Sequence, residues 1–297
     1  MAPHPALRAC LSLAVLTLAL LPPVPAALAD GQGRAATAQE QAAMLRILQA
    51  FDRQAPPGPA GWERTEETEV KASEYVGVDQ EHFPLAVFYA AAWRDAARLD
   101  AAQDRAVQAG AAVMQESAGD PAADRIQQDY EAMAQKLGAA ADKGDMAAVQ
   151  RIAAEMEALA EKMQAAYAAQ DRKLDEVFAE HEVRDARLRI HFEANAMSEA
   201  LDPGYVVEPG PAGLAVYRSE GRRTTHYGWR EGYSRVFLGA WKLSSEPENP
   251  RMEAAPRPGI PHTAVQTVVV TVQADKARAA AVLKQLDWSA LKALLPR

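Results

Sequence analysis

Cysteine is all but missing from this chain. Cys10 is the only one among 297 residues, and it lies just ahead of an apolar run near the N-terminus. The count excludes an intrachain disulfide, and the position excludes a thiolate nucleophile from a chain that has shed this segment. Aromatic residues make up 6% of the sequence and lie mostly outside its alanine-rich middle. Histidines never form a closely spaced ligand pair, and "HEVRD" at 181–185 is not the helical zinc-protease pattern. A glycine-rich phosphate loop is lacking, since Gly210 and Gly213 only bracket a turn. "GYS" at 232–234 and "AMSEA" at 196–200 lack the glycines of a nucleophile elbow. No catalytic motif, metal or other cofactor is expected on these grounds.

A second absence is that of any long apolar run beyond the first thirty residues. "CLSLAVLTLALL" is too short for an ordinary membrane span. It follows a short segment whose only side-chain charge is Arg8, and it precedes "PPVPAALA". Together these read as a signal peptide, residues 1–29, cut after Ala29. The expected mature chain is periplasmic or secreted and carries no stable membrane span. The formal charge is -8, becoming -9 once Arg8 is lost with the leader. That sign disfavours nucleic acid and anionic membranes as partners.

What the chain has in quantity is alanine and helical periodicity. Residues 37–54 read as a helix with Met44, Leu45, Ile47, Leu48 and Phe51 on its apolar side. "APPGPAGW" ends it, and Trp62 is expected to anchor the following segment. Residues 65–78 read as a strand with Val70, Ala72, Val76 and Val78 on one face. From Phe83 to Arg184 glycine is rare and Pro84 and Pro121 are the only prolines. Helices are expected at about 84–116, 121–142 and 146–183, with "DKGD" at 142–145 as a tight turn. Val149, Ile152, Met156, Leu159, Met163, Ala166 and Gln170 alternate steps of three and four, as do Ile126, Tyr130, Met133 and Leu137. Two such seams joined by a turn predict an antiparallel, coiled-coil-like hairpin.

Beyond Arg184 the period becomes two. Leu188, Ile190, Phe192 and Ala194 share one face of a strand, and Arg187, Arg189, His191, Glu193 and Asn195 the other. Further strands are expected at about 204–208, 213–219, 223–230, 233–243 and 263–273. "TAVQTVVVTVQA" is apolar on both faces and reads as an interior strand. The C-terminal stripes Val282, Leu283, Leu286 and Trp288, Leu291, Leu294, Leu295 predict two helices over one side of the sheet. The strand at 65–78, without a local partner, is expected to pair beyond residue 185. The resulting architecture is α+β: an antiparallel sheet of about five to seven strands with flanking helices, interrupted by a long helical hairpin. Its parts are 30–83, with the first helix and strand, the helical insertion 84–184, and the remainder 185–297.

Two sets of residues stand out. His191 and Glu193 share a strand face, which suits a metal, but a metal site needs three or four ligands and none is expected here. The segment "RRTTHYGWREGYSRVFLGAW", 222–241, reads as a β-hairpin turning at "REG". A two-residue turn at Glu231-Gly232 puts His226 on one face with Arg235, Phe237 and Trp241; a three-residue turn puts Tyr227 and Trp229 there instead. His191, Glu193, His226, Arg230, Arg235 and Trp241 are therefore the candidate ligand-binding set. The leading functional expectation is a non-catalytic envelope protein that binds a protein partner through helices 121–183, with a homo-oligomer as another arrangement such a seam permits. The alternative is a small-ligand binder or hydrolase with a polar site on the sheet face.

Overall fold

The alternating segment "RLRIHFEA" forms a strand, β5 (Arg187–Ala194), in a seven-stranded antiparallel sheet. The computed structural model describes residues 33–77, 83–118, 121–225, 228–244, 246 and 248–296. Residues 1–29, read above as a leader, lie outside the described residues, as do Val78, His82 and His226. The sheet order is β2 (Glu63–Glu67), β4 (Val87–Arg94), β5, β14 (Thr267–Gln273), β11 (Tyr233–Gly239), β8 (Ala215–Ser219) and β7 (Val206–Pro209). β14 holds the central place, which explains why "TVVVTV" is buried on both faces. One face is covered by α1 (Ala38–Asp52), α5 (Lys276–Gln285) and α6 (Trp288–Lys292). Ile47 and Phe51 of α1 meet Phe192 and Tyr89 there, with the Phe51 and Phe192 rings stacked at 5.3 Å. Val282, Leu283, Trp288 and Leu291 complete the core from the C-terminal helices. Each such side chain, fully buried, contributes roughly 1.5–3 kcal/mol.

The long middle section forms three helices, α2 (Ala96–Ala118), α3 (Pro121–Asp142) and α4 (Met146–Glu180). α4 is 35 residues long, which is roughly 50 Å of helix. α2 and α3 pack along α4 and chiefly on no other element. Gly110 of α2 lies against Leu174 and Phe178, and Met114 meets Gln170. On the seam Leu159 is buried, while Ile126, Met133, Leu137, Ile152 and Met156 are half-buried. Asp145 caps α4 by accepting from the Ala148 N–H, and Gly144 supplies the left-handed turn at φ 68°. Residues 96–180 carry 16 acidic and 9 basic side chains, so this arm holds nearly all of the chain's net negative charge.

Five expectations need correction. The helix placed from residue 84 starts only at Ala96, and residues 87–94 are strand β4, between β2 and β5. Val87, Tyr89, Ala91 and Trp93 alternate into the core. Three successive alanines hide this alternation: alanine favours helix intrinsically, yet only small side chains fit at the buried Ala90 and Ala91. The single strand at 65–78 is two: β2 pairs with β4, ahead of residue 185, and β3 (Tyr75–Gly77) pairs with β1 (Gly33–Ala35). Between them the Ser73 hydroxyl donates to the Tyr75 carbonyl and accepts from the Tyr75 N–H, a local turn that competes with extension. Val70 and Ala72 still pack against the core and Val76 is buried, so the expected face survives without the expected strand.

The hairpin at 222–241 is also rearranged. β9 (Arg222–Thr225) pairs with β10 (Gly228–Arg230), whereas β11 pairs with β8 and β14. Glu231-Gly232 is thus a link between two sheets and not a hairpin turn of either length. The strand expected at 233–243 breaks at Gly239, beyond which β12 (Trp241–Leu243) joins β13 (Arg251–Ala254) and β6 (Ser198–Ala200) in a small sheet. Gly239 has φ 98°, and a Cβ there would press on the Gln266 carbonyl. Gly239→Ala is expected to cost about 2 kcal/mol, measured by denaturant unfolding, because it adds backbone strain and a clash at once. Finally, Asn195 does not face outward with His191. It sits at φ 62°, is 2% exposed, and ends β5 by turning into the interior.

Candidate functional site

The sheet face opposite α1, α5 and α6 gathers the polar side chains. Register places His191 between Ala90 and Thr271, with Arg235 and Tyr217 following across the strands. The neighbouring row is Phe88, Glu193, Val269 and Phe237. Three of the sequence candidates, His191, Glu193 and Arg235, are therefore brought together from strands that are distant in the chain. β6 meets this face and adds Glu199, whose carboxylate lies against Glu193 and 3.0 Å from Arg235 Nη1.

Arg235 is the hub. Its Nε donates to Thr271 Oγ1 at 3.1 Å, its Nη1 donates to the Ala200 carbonyl at 2.7 Å, and its guanidinium lies 4.5 Å from the centre of the Tyr233 ring. Beyond two intervening strands, on β4, the half-exposed Phe88 ring is 5.0 Å from the His191 imidazole. Arg189 reaches Glu66 at 3.0 Å through Nη2. Two buried nitrogens on adjacent residues of this face, Arg189 Nε and His191 Nε2, have no hydrogen-bond partner. Such orphans are uncommon in folded proteins.

Burial, with the positive charges of Arg235 and Arg189, pushes the His191 imidazole down to about 4. The ring is neutral at pH 7, and Nε2 is a donor or an acceptor according to its tautomer. Burial and the neighbouring Glu199 charge push Glu193 up to about 7, with Arg235 opposing them. This site thus holds a neutral imidazole, a carboxyl group that is both donor and acceptor near neutrality, and a largely satisfied guanidinium. No cysteine or serine stands among these groups, and among the described residues no set of three or more His, Cys, Asp or Glu side chains is arranged to hold a metal ion.

The two shifts act oppositely on stability. The folded Glu193 binds a proton between about pH 7 and 4.5 that the unfolded chain does not, so its contribution is present at low pH and lost as pH rises through 7. The unfolded chain protonates His191 between about pH 6.5 and 4 while the folded chain does not, so that contribution is lost as pH falls. Between about pH 6.5 and 4.5, above the range in which the Glu40 contribution is lost, Glu193→Gln is expected to leave the His191 contribution unopposed, giving a melting temperature that falls as pH falls. His191→Asn should leave the reverse slope. Identical pH profiles for the two variants would contradict this arrangement.

The other candidates take different places. Arg230 lies 3.7 Å from Asp202, whose N–H donates to the Tyr233 hydroxyl, so it reaches Arg235 only through two intermediaries. Trp241 packs edge-on against Phe237 at 5.1 Å and donates its indole N–H to the Leu238 carbonyl, which makes it a packing residue at the end of the row. His226 lies outside the described residues. The β9–β10 ribbon instead braces the arm: Arg223 donates to the Asp175 carbonyl and pairs with Glu182, and Arg184 stacks on Trp229 at 4.4 Å. Glu199 escaped the sequence reading because a three-residue strand carries too little alternation to mark a face. Phe88 escaped because the alanines beside it in β4 favour helix and mask the alternation of the strand.

The chain matches no protein-family model, no curated protein and no solved structure.

Proposed function

We propose that this protein is an exported, non-enzymatic binding protein whose helical arm engages a protein partner with a basic surface. The observation that carries this reading is the arm itself. It is a two-helix-thick rod, fixed at its base and packed chiefly on itself, that holds 16 acidic against 9 basic side chains. The base is held by Arg98–Asp185 at 2.7 Å, by Arg278 donating to the Asp185 carbonyl, and by the Asp95 N–H donating to the Ala186 carbonyl. Exposed Val107, Met114, Met146 and Tyr167 supply apolar contact among those charges. A rigid support lowers the entropy cost of presenting such a surface. The leader-like start supports the exported setting. Among the described residues no helix is long and apolar enough to cross a membrane.

The test is site-specific photo-crosslinking in the producing cell, from Met114 and Tyr167 on the arm and from Leu243 on the small sheet as control. The expected result is a discrete adduct from the arm positions only, abolished when Glu155, Glu157 and Glu161 are together changed to lysine. Adducts that persist after this charge reversal, or that form equally from Leu243, would overturn the reading.

A second reading is a small polar ligand on the sheet face, favoured by the buried unpartnered nitrogens of Arg189 and His191. It predicts a compound that raises the melting temperature of the wild type and has no effect on His191→Leu. Equal stabilisation of both would exclude it.

A further inference from the structure

On the opposite side of the sheet, the β7–β8–β11 end and α5 enclose a cavity of about 400 Å³. Its size falls in the range of small-molecule sites. Val216 and Leu283 form apolar walls, with Pro209 and the exposed Ala280 toward the mouth. At the floor are Arg218 and Ser234, each 3% exposed. Buried arginine is rare unless well paired. Here Arg218 Nε and Nη2 donate to Glu220, a side chain that is 74% exposed, while Nη1 has only a long contact of 3.4 Å to Ser234 Oγ. The buried end of the guanidinium is thus weakly satisfied and opens on the cavity.

At the rim, Lys276 is paired with Glu208, whereas Lys284 has no ion-pair partner among the described residues. Arg218, Lys276 and Lys284 face two carboxylates, Glu208 and Glu220, leaving one positive charge in surplus. The β7–β8 connection turns through two left-handed residues, Ala212 at φ 53° and Gly213 at φ 71°, beside Pro211 at the cavity edge. The arrangement is an apolar slot with one unmatched cation and one under-used buried donor.

We propose that this cavity binds a small amphipathic carboxylate, with its head group at Arg218 Nη1, Ser234 Oγ and the Lys284 ammonium and its hydrocarbon body between Val216 and Leu283. A carboxylate matches the planar guanidinium and the single surplus charge. A hydrocarbon body matches the walls, each buried methylene tightening binding about fourfold.

The experiment is titration calorimetry on the full mature chain with decanoate, decanol and inorganic phosphate as probes. Decanoate is expected to bind saturably at one site, decanol about tenfold more weakly, and phosphate is expected not to displace decanoate. Ala280→Trp, at an exposed helix position, should fill the mouth and weaken decanoate about tenfold or more, with circular dichroism unchanged. Lys284→Gln should weaken it by a smaller factor. Unsaturable decanoate binding, decanol binding as tightly as decanoate, displacement by phosphate, or an Ala280→Trp variant that binds like the wild type would each overturn the proposal.

Discussion

Asn195→Ala is expected to destabilise the protein by about 4 kcal/mol, the largest single effect anticipated outside the hydrophobic core. The Asn195 amide joins three segments. Its Nδ2 donates to the Leu85 carbonyl at 2.9 Å and to the Ala264 carbonyl at 3.0 Å. Its Oδ1 accepts from the Gln266 N–H at 2.7 Å, with a longer contact from Thr267 N–H at 3.4 Å. Truncation strands these backbone groups in the interior, where each unsatisfied group costs about 1–3 kcal/mol. The left-handed backbone at φ 62° adds about 1 kcal/mol once alanine replaces asparagine. Asn195→Gly keeps the backbone permissive and should recover about that last amount. Asn195→Asp keeps the acceptor but sets a carboxylate oxygen against two carbonyls, so it should be no better than alanine. Denaturant unfolding of the three variants separates these terms. A loss below about 1 kcal/mol for Asn195→Ala would show that the amide is not the joint described. The same substitution should loosen the polar face, because Asn195 fixes the end of β5 two residues beyond Glu193.

Glu40→Gln is expected to cost about 3 kcal/mol at neutral pH, and that cost should shrink in acid. Glu40 is 0% exposed. Its carboxylate accepts from Arg34 through both Nη atoms at 2.9 and 2.6 Å, from the Thr37 N–H at 2.7 Å and from the Thr37 hydroxyl at 2.9 Å; it also lies 2.8 Å from His262 Nε2. It completes the capping box of α1 and ties that helix to a loop 222 residues away. Glutamine cannot accept from all of these donors, since one of its termini is itself a donor. The figure sits at the low end for a broken buried pair because the Arg34 and His262 side chains are 27% and 33% exposed and partly screened. The Arg34 guanidinium foremost, with the Thr37 and His262 bonds, holds the Glu40 carboxyl well below the usual carboxylate range despite its burial. Its stabilisation is therefore complete above the ordinary carboxylate value and lost as pH falls towards the lower folded value. Melting curves from pH 7 to 3 should show wild type and Glu40→Gln converging below about pH 4.5. Parallel curves throughout would mean the charge on Glu40 contributes nothing.

Both anchors were hard to read in the chain for the same reason. Thr37 and Glu40 do carry the spacing of a capping box, but nothing local reveals that Arg34 and His262 converge on that carboxylate. Asn195 continues the polar alternation of Arg189, His191 and Glu193, and only its left-handed backbone turns it inward. The polar cluster was legible to a similar extent. Period two put His191 and Glu193 on one face, and the same alternation put Arg235 with Phe237. It could not supply Glu199, which arrives from a three-residue strand, or the pairing that sets Arg235 beside Thr271.

The sequence by itself determined the elements whose signal is local and repeated. These are α1 and the C-terminal helices with their apolar stripes, the seam of α3 against α4, the turn at Gly144, the alternation of β5 and the doubly apolar β14. Each depends on residues within a few positions of one another, where backbone geometry fixes which side chains share a face. Only the tertiary structure decided that residues 87–94 are a strand, that β9 pairs with β10 and not with β11, and that His191, Glu193, Glu199 and Arg235 meet. Alanine has too little side chain to report which face is buried, and strand partners are chosen by contacts far apart in sequence. At those points local preference is weak and packing across the sheet prevails.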